Sequence, residues 1–188
     1  MSTKLLAIFS LLVLHWGQTR CQDDLDFKEL LMRSRMEFSA PSGMKKARKI
    51  NFKRLPYQLA LEDTSIPFEI RYAVRPANVT DHVEDAPANA SWHISAFEGG
   101  LFDVAGGYLP EYTVFDSLQV IQEFNADWGA TSTFVSGAVF GRDYVDCLML
   151  FLHKKNVANA YVFFLAQDRI TLIREAPKYF YNLKFKEQ

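Results

Sequence analysis

Residues 144–166, YVDCLMLFLHKKNVANAYVFFLA, decide the fold. Two apolar runs, 144–153 and 160–166, flank a polar connection at 154–159, which is typical of a β-hairpin. The first run is apolar on both of its faces, and such a strand lies inside a sheet that is covered on either side. We therefore expect this hairpin to form the centre of the protein.

The pattern of residues 68–75, which lie between Pro67 and Pro76, predicts a second strand. Apolar and other side chains alternate along it, so one face should meet a core and the other should be wet or covered by a polar layer. The apolar positions are Phe68, Ile70, Tyr72 and Val74, and the opposite positions are Glu69, Arg71, Ala73 and Arg75.

The longest helix is predicted over residues 114–128. Asp116 is a suitable N-cap, Gly129 supplies a stop, and Leu118, Ile121 and Phe124 form an apolar stripe for the core. Shorter elements are expected as helices at 23–35, 92–101 and 175–182 and as strands at 36–39 and 131–140.

Strands outnumber helices, and several are joined by short turns. This pattern predicts an α+β fold, with a mostly antiparallel β-sheet flanked by α-helices. We expect a single domain over residues 36–188, preceded by an N-terminal segment, 22–35, that includes a short helix. The chain has 188 residues, and this length suits one domain.

The first 21 residues have the organisation of a secretory signal peptide. Lys4 precedes an apolar run at 5–14, and a polar exit at 15–21 follows it. The run is too short to span a bilayer, which takes about 20 residues. Cleavage between Cys21 and Gln22 by a signal peptidase, after passage through the export machinery, would leave a periplasmic or extracellular protein without a transmembrane segment.

Two alternatives to simple cleavage remain open. Lipidation of Cys21 would anchor the protein to a membrane, although Arg20 stands where a lipoprotein signal has a small residue. The apolar run could also stay attached as an uncleaved anchor.

Cysteine content and charge limit the class of protein further. Without Cys21 the chain keeps only Cys147, so it has no internal disulfide. A lone cysteine suits a bacterial envelope protein better than a disulfide-rich eukaryotic module. Loss of Lys4 and Arg20 moves the net charge from −1 to −3, which argues against a nucleic-acid partner.

Four stretches together resemble the Mog1/PsbP/DcrB-like superfamily. They are the segment FSAPSG at 38–43, the strand EIRY at 69–72, the helix at 116–128, and the hairpin at 144–165 with the following helix and LKF at 183–185. The resemblance covers about residues 36–186 and implies an α/β/α sandwich around an antiparallel sheet. It implies binding, assembly or accessory roles and carries over no catalytic residue.

The residues that could carry chemistry form no recognisable motif. Cys147 lies within an apolar strand, where a thiol is an inert core residue. The histidines show no metal-ligand spacing. A hydrolase-like enzyme remains an alternative, in which His93 or His82 works with Asp103 or Glu98.

A second alternative is a module that depends on a divalent cation. Asp81, Glu84 and Asp85 lie close together with His82 and could ligate such an ion. A solvated acidic loop is the simpler interpretation, so we assign no metal and no cofactor.

Two surfaces are candidates for binding. The first is a basic patch, which could meet phosphate, lipid headgroups or an acidic partner but also fits an exposed strand or helix face. It consists of Lys45, Lys46, Arg48, Lys49, Lys53 and Arg54. The second is a set of aromatic residues beside glycines, which could line a ligand groove or belong to the core. It consists of Trp92, Phe97, Phe102, Tyr108 and Tyr112.

The sequence thus predicts an exported, non-catalytic binding or accessory module of the bacterial envelope. Its partner would be an unidentified protein or small molecule, and we assign it no catalytic residue.

Overall fold

An antiparallel seven-stranded sheet lies at the centre of the computed structural model, which describes residues 27–77 and 92–187. In chain order its strands are β2 (Lys45–Lys46), β3 (Leu59–Asp63), β4 (Phe68–Pro76), β5 (Thr113–Val114), β6 (Trp128–Val135), β7 (Asp146–Lys154) and β8 (Ala158–Ala166). Their order across the sheet is β2-β3-β4-β8-β7-β6-β5. A small second sheet pairs β1 (Met36–Phe38) with β9 (Leu183–Phe185).

The helices cover both faces of the large sheet. They are α1 (Phe27–Arg33), α2 (Trp92–Val104), α3 (Ser117–Phe124), α4 (Ala138–Gly141) and α5 (Arg169–Glu175), and a 3-10 turn (Ala176–Tyr179) follows α5. Buried residues of α1, α3 and α5 join one core, and those of α2 and α4 join the other. The predicted α+β class, with a mostly antiparallel sheet flanked by helices, is confirmed.

The predicted hairpin forms β7 and β8 and lies inside the sheet, as expected. Its ladder runs from Asp146↔Ala166 to Lys154↔Ala158, so the turn is shorter than the predicted connection. Asn156 takes a φ of 60° in that turn, a left-handed conformation that asparagine tolerates better than most residues.

The two faces of the sheet differ in chemistry. We call the face that carries Phe68, Ile70, Tyr72 and Val74 the apolar face, because these side chains and α1, α3 and α5 form one hydrophobic core. The opposite face, which we call the mixed face, carries Glu69 and Arg71 from β4 and Cys147, Met149 and Phe151 from β7. The alternation predicted for β4 is therefore correct, and the second set of its side chains is covered rather than wet.

Helix α3 is shorter than predicted, and two of its predicted core residues are exposed. The Asp116 side chain caps the helix by accepting from the Leu118 N–H at 2.9 Å. The helix ends at Asn125 (φ 50°), before the predicted stop at Gly129, which lies in β6. Phe124 is buried as predicted.

The predicted stripe on α3 is wrong at its other two positions. Leu118 and Ile121 are 68% and 50% exposed, and the core position that the prediction missed is Val120. Val120 and Phe124 are four residues apart and share one side of a helix, whereas Leu118 lies about 200° around the axis from Val120.

Two further boundaries differ from the prediction. The expected strand at 131–140 splits into β6 and α4, because the backbone leaves the sheet at Ser136 and Gly137. The closing helix comes earlier than 175–182, since Asp168 caps α5 by accepting from the Thr171 N–H at 2.8 Å. After α5 the chain continues as the 3-10 turn that contains Pro177.

Candidate functional site

The basic patch is an irregular segment lying over the mixed face, apart from the two lysines of β2. All six of its cations are exposed. Ala47 and Phe52 point inward and join the core of that face, followed by Leu55 and Tyr57. The Ile50 N–H donates to the Tyr57 hydroxyl at 2.8 Å, which fixes the backbone between the cations. The segment is therefore anchored by its apolar residues and displays its charges outward.

The five aromatic candidates do not form one surface. Phe97 is fully buried and belongs to the core of the mixed face, so its prediction as a surface residue is corrected. Tyr112 is half-buried, and its hydroxyl donates to Glu98 at 2.9 Å. Trp92, Phe102 and Tyr108 are exposed. The α2 helix separates Trp92 from Phe102 by about 15 Å along its axis.

A pocket of about 450 Å³ opens where the end of the basic patch meets the end of α2. Arg54 Nη1 lies 3.4 Å from Asp103 Oδ1 and joins its two walls. Phe52 and Phe140 give it an apolar lining. Its full lining is Asn51, Phe52, Lys53, Arg54, Asp103, Gly106, Gly137, Ala138, Val139 and Phe140.

One wall of this pocket is a contact between two glycines. A Cβ on Gly137 would lie 2.8 Å from the Gly106 Cα, closer than side chains approach. The Gly137 N–H donates to the Val104 carbonyl at 2.8 Å, and Gly106 takes a φ of +89°. Glycine at both positions lets the end of α2 and the start of α4 meet through their backbones.

A buried ion pair supports the pocket from below. Arg71 is 1% exposed, and its guanidinium donates to the Glu69 carboxylate and to the Phe140 carbonyl. The guanidinium carbon lies 4.8 Å from the centre of the Phe140 ring and 5.2 Å from that of Tyr57. These contacts of Arg71 fix the position of Phe140, which lines the pocket. In the sequence, the feature that could have indicated this ion pair is the presence of opposite charges two residues apart, on the same face of the predicted strand.

Burial changes the acidity of the groups near this pair. It raises the pKa of Tyr144 to about 12, with a further contribution from the carboxylates of Glu69 and Glu62. Burial also raises the pKa of the Cys147 thiol well above its ordinary value. Cys147 is fully buried, so it is a neutral, inaccessible thiol, in keeping with its predicted role in the core.

Two histidines stack at the far end of α2. The ring centres of His93 and His153 are 4.7 Å apart, and that of Trp128 lies 5.0 Å from His93. His153 Nδ1 is 2.7 Å from Asn159 Oδ1. Burial lowers the pKa of His93, and the neighbouring His153 lowers it further.

The residues of the enzyme alternative are not brought together. His93 and Asp103 are about 15 Å apart along the axis of α2, far beyond proton-transfer contact. Glu98 accepts the Tyr112 hydroxyl, and Asp103 pairs with Arg54. His82 lies outside the described residues.

Several predicted features fall in parts of the chain that the structure does not describe. These are the leader with Cys21 and Gln22, and the acidic candidates Asp81, Glu84 and Asp85. Within 27–77 and 92–187, no three His, Cys, Asp or Glu residues lie close enough to hold a metal ion. No helix in those ranges has the length and apolarity needed to cross a membrane.

Neither a protein-family model nor a curated protein matches this sequence. Among solved structures, the chain is similar to the solution structure of cyanobacterial PsbP (CyanoP) from Synechocystis sp. PCC 6803. The two share 12% identity with a TM-score of 0.49, and the match covers 81% of this chain and 88% of the other.

Proposed function

We propose that this chain is an exported, non-catalytic binding module of the bacterial envelope, and that its binding site is the pocket between the basic patch and the end of α2. One observation carries the proposal. Lys53 and Arg54 of the basic patch line one pocket together with Asp103 and Gly106, which lie between the aromatic candidates in sequence, and the Arg54–Asp103 pair joins the two segments. None of the five aromatic candidates lines this pocket.

The composition of the pocket favours binding over catalysis. The residues that line it include one carboxylate, from Asp103, but no imidazole, thiol or hydroxyl. Of the two groups in this lining that could act as nucleophile or base, the Asp103 carboxylate is paired with Arg54 and the Lys53 side chain is exposed to solvent. An apolar lining with a few charged groups at its edge is typical of a site that holds a small ligand, and about 450 Å³ is a usual size for one.

The charges indicate the chemistry of the ligand. Lys53 and Arg54 stand on the rim with only Asp103 to oppose them. The pair between Arg54 and Asp103 is exposed and is worth at most about 1 kcal/mol, so a ligand anion can displace the carboxylate. We infer a ligand with one negative group and a small apolar body that contacts the exposed Val139 side chain.

Binding of two small probes tests the site. Benzoate and benzylamine share a ring and differ in charge. In amide NMR spectra, benzoate should shift the signals of Gly106, Gly137 and Val139, and benzylamine should shift them much less. Equal shifts from both probes, or shifts confined to other parts of the chain, would contradict the proposal.

A variant that fills the pocket provides the control. Val139 is 71% exposed and lines the pocket, so Val139→Trp should fold normally and abolish the benzoate shifts. Ile173 is 63% exposed on α5, on the other side of the sheet, and Ile173→Trp should leave them unchanged. Unchanged benzoate shifts in Val139→Trp would show that benzoate binds outside this pocket and would contradict the proposal.

Export is tested separately by the mature N-terminus. When the full chain is expressed in a bacterium with two membranes, the protein should appear in the periplasm and begin at Gln22. A membrane-bound form that starts at an acylated Cys21 would identify a lipoprotein, and a cytoplasmic form that begins at Met1 would refute export.

A further inference from the structure

The basic patch carries more charge than the pocket uses. It holds six of the 21 Lys and Arg residues of a chain whose net charge is −1, so the rest of the chain is clearly acidic. Of these six cations only Arg54 has a carboxylate within 4 Å, counting carboxylates in the described ranges. The five others, Lys45, Lys46, Arg48, Lys49 and Lys53, point into solvent.

The arrangement of these cations suits a surface better than a single anion. They are spread along ten residues and do not converge on a point, as the ligands of one phosphate would. Hydrogen bonds from the Ala47 N–H to the Ala60 carbonyl (2.9 Å) and from the Ile50 N–H to the Tyr57 hydroxyl (2.8 Å) hold the backbone. The array is therefore presented from a fixed frame.

An exposed apolar residue adjoins the charged end of the patch. Val139 is 71% exposed and lines the same pocket as Lys53 and Arg54. Cations beside an exposed apolar side chain are the combination by which proteins rest on the headgroups of an anionic bilayer.

We propose that the basic patch docks this protein on an anionic phospholipid surface. Its cations would face the phosphate-bearing headgroups, and Val139 would touch the interface. This surface shares Lys53, Arg54 and Val139 with the pocket, whereas its other four cations lie outside the pocket lining.

Binding to vesicles tests the proposal. The protein, processed by the cell that expresses it, is mixed with vesicles of phosphatidylcholine alone or with phosphatidylglycerol, and bound protein is measured by sedimentation. Binding should need phosphatidylglycerol and should fall steeply when the salt concentration rises from about 0.05 to about 0.5 M. Over this range the Debye length shrinks severalfold, to roughly 4 Å, so the attraction between the cations and the headgroups is screened. Binding to neutral vesicles that equals binding to anionic ones would overturn the proposal.

A charge-matched pair of variants locates the surface. Arg48 and Lys49 have exposed side chains outside the pocket lining. Each cation near an anionic surface is worth about 1 kcal/mol, or roughly fivefold in affinity, so Arg48→Gln/Lys49→Gln should weaken binding about 25-fold. The control is Lys155→Gln/Lys186→Gln, which removes two exposed cations elsewhere. Equal losses in the two variants would show a net-charge effect and refute the assignment.

Two further experiments distinguish docking on a lipid surface from binding of a single anion or of a ligand in the pocket. Inorganic phosphate at millimolar concentration should not displace the protein from vesicles, since competition by phosphate would indicate a site for a single anion. Ala138→Trp, which fills the pocket from an exposed position that we do not assign to the docking surface, should abolish benzoate shifts but keep vesicle binding within a few-fold of the parent. Failure of the pocket and failure of the docking surface are thereby distinguishable.

Discussion

The two faces of the central sheet are covered in different ways. The apolar face meets α1, α3 and α5, and the strand β4 contributes only Phe, Ile, Tyr and Val to it. The mixed face meets α2, the four-residue α4 and the irregular segment that carries Phe52, and it buries Glu69 and Arg71 among its apolar side chains. The pocket and the basic patch both belong to the mixed face, which is covered in part by an irregular segment. We infer that the apolar face chiefly supplies stability and that the mixed face is adapted to binding.

Removal of one large aromatic ring from each core tests most directly whether the two faces of the sheet are covered differently. Phe164 is fully buried on the apolar face, with ring centres 6.5 Å from Phe68 and 6.0 Å from Phe180. Phe164→Ala should lower the free energy of unfolding by about 4 kcal/mol, because the regular cover cannot collapse into the cavity. Urea unfolding measures this loss.

Phe163 is the matched position on the mixed face. It is fully buried, and its ring centre lies 4.9 Å from Phe140 of the short α4. Because α4 can relax into the space, Phe163→Ala should cost about 1 kcal/mol less than Phe164→Ala. An equal or greater cost at Phe163 would contradict the difference that we draw between the two covers.

The buried ion pair gives the next largest effect. Glu69→Gln leaves the buried Arg71 guanidinium without a carboxylate and should cost about 3 kcal/mol. The double variant Glu69→Leu/Arg71→Met should recover most of this loss, since replacement of a buried pair by apolar side chains is often neutral. If Glu69→Gln unfolds at the urea concentration of the parent, the pair does not support the mixed face.

Loss of the contact between Gly137 and Gly106 should have a smaller effect on stability, and a glycine that makes no such contact serves as a control with the opposite expected sign. Gly137→Ala places a Cβ 2.8 Å from the Gly106 backbone and should cost about 2 kcal/mol. Gly99 lies within α2 and has nothing within 4 Å of a built Cβ. Gly99→Ala should therefore stabilise the protein, by up to about 1 kcal/mol, because alanine is the better helix former. Thermal unfolding of the two variants should move in opposite directions.

The smallest effect concerns pH at the histidine stack. The folded state lowers the pKa of His93 below the ordinary 6.5, so the unfolded chain binds more protons in that range. Stability from this residue is present above about pH 6.5 and is lost as the pH falls below it. The free energy of unfolding should decrease less from pH 7.5 to 5.5 in His93→Gln than in the parent. An identical decrease in both would show that other groups cause it.

The sequence predicted the elements whose burial follows from the pattern of neighbouring residues. The alternation along β4 and the apolar run of β7 are such patterns, so both strands could be placed from the sequence. The split between β6 and α4 could not be placed in this way, because it depends on Gly137 meeting Gly106, which is distant in sequence. The β-rich composition of residues 131–140 therefore predicted one uninterrupted strand.

The candidate site was predicted only in its parts. The cations and the aromatic residues were visible in the sequence, but the pocket needs residues 51–54, 103–106 and 137–140 together, which only the topology of the sheet provides. The same limit explains Phe97. Its place beside glycines suggested a surface, while its place in α2 directs it into the core.

The ends of the large sheet have a consequence for how the protein behaves at high concentration. Its edge strands β2 and β5 are two residues long, and β2 consists of two lysines. At the β2 end, a short and charged edge strand offers a neighbouring molecule little backbone to pair with. The segments CLMLFL of β7 and YVFFLA of β8 have the composition of aggregation-prone peptides, yet both lie inside the sheet. The folded protein should thus resist strand pairing at its β2 edge, and its unfolded chain should aggregate readily.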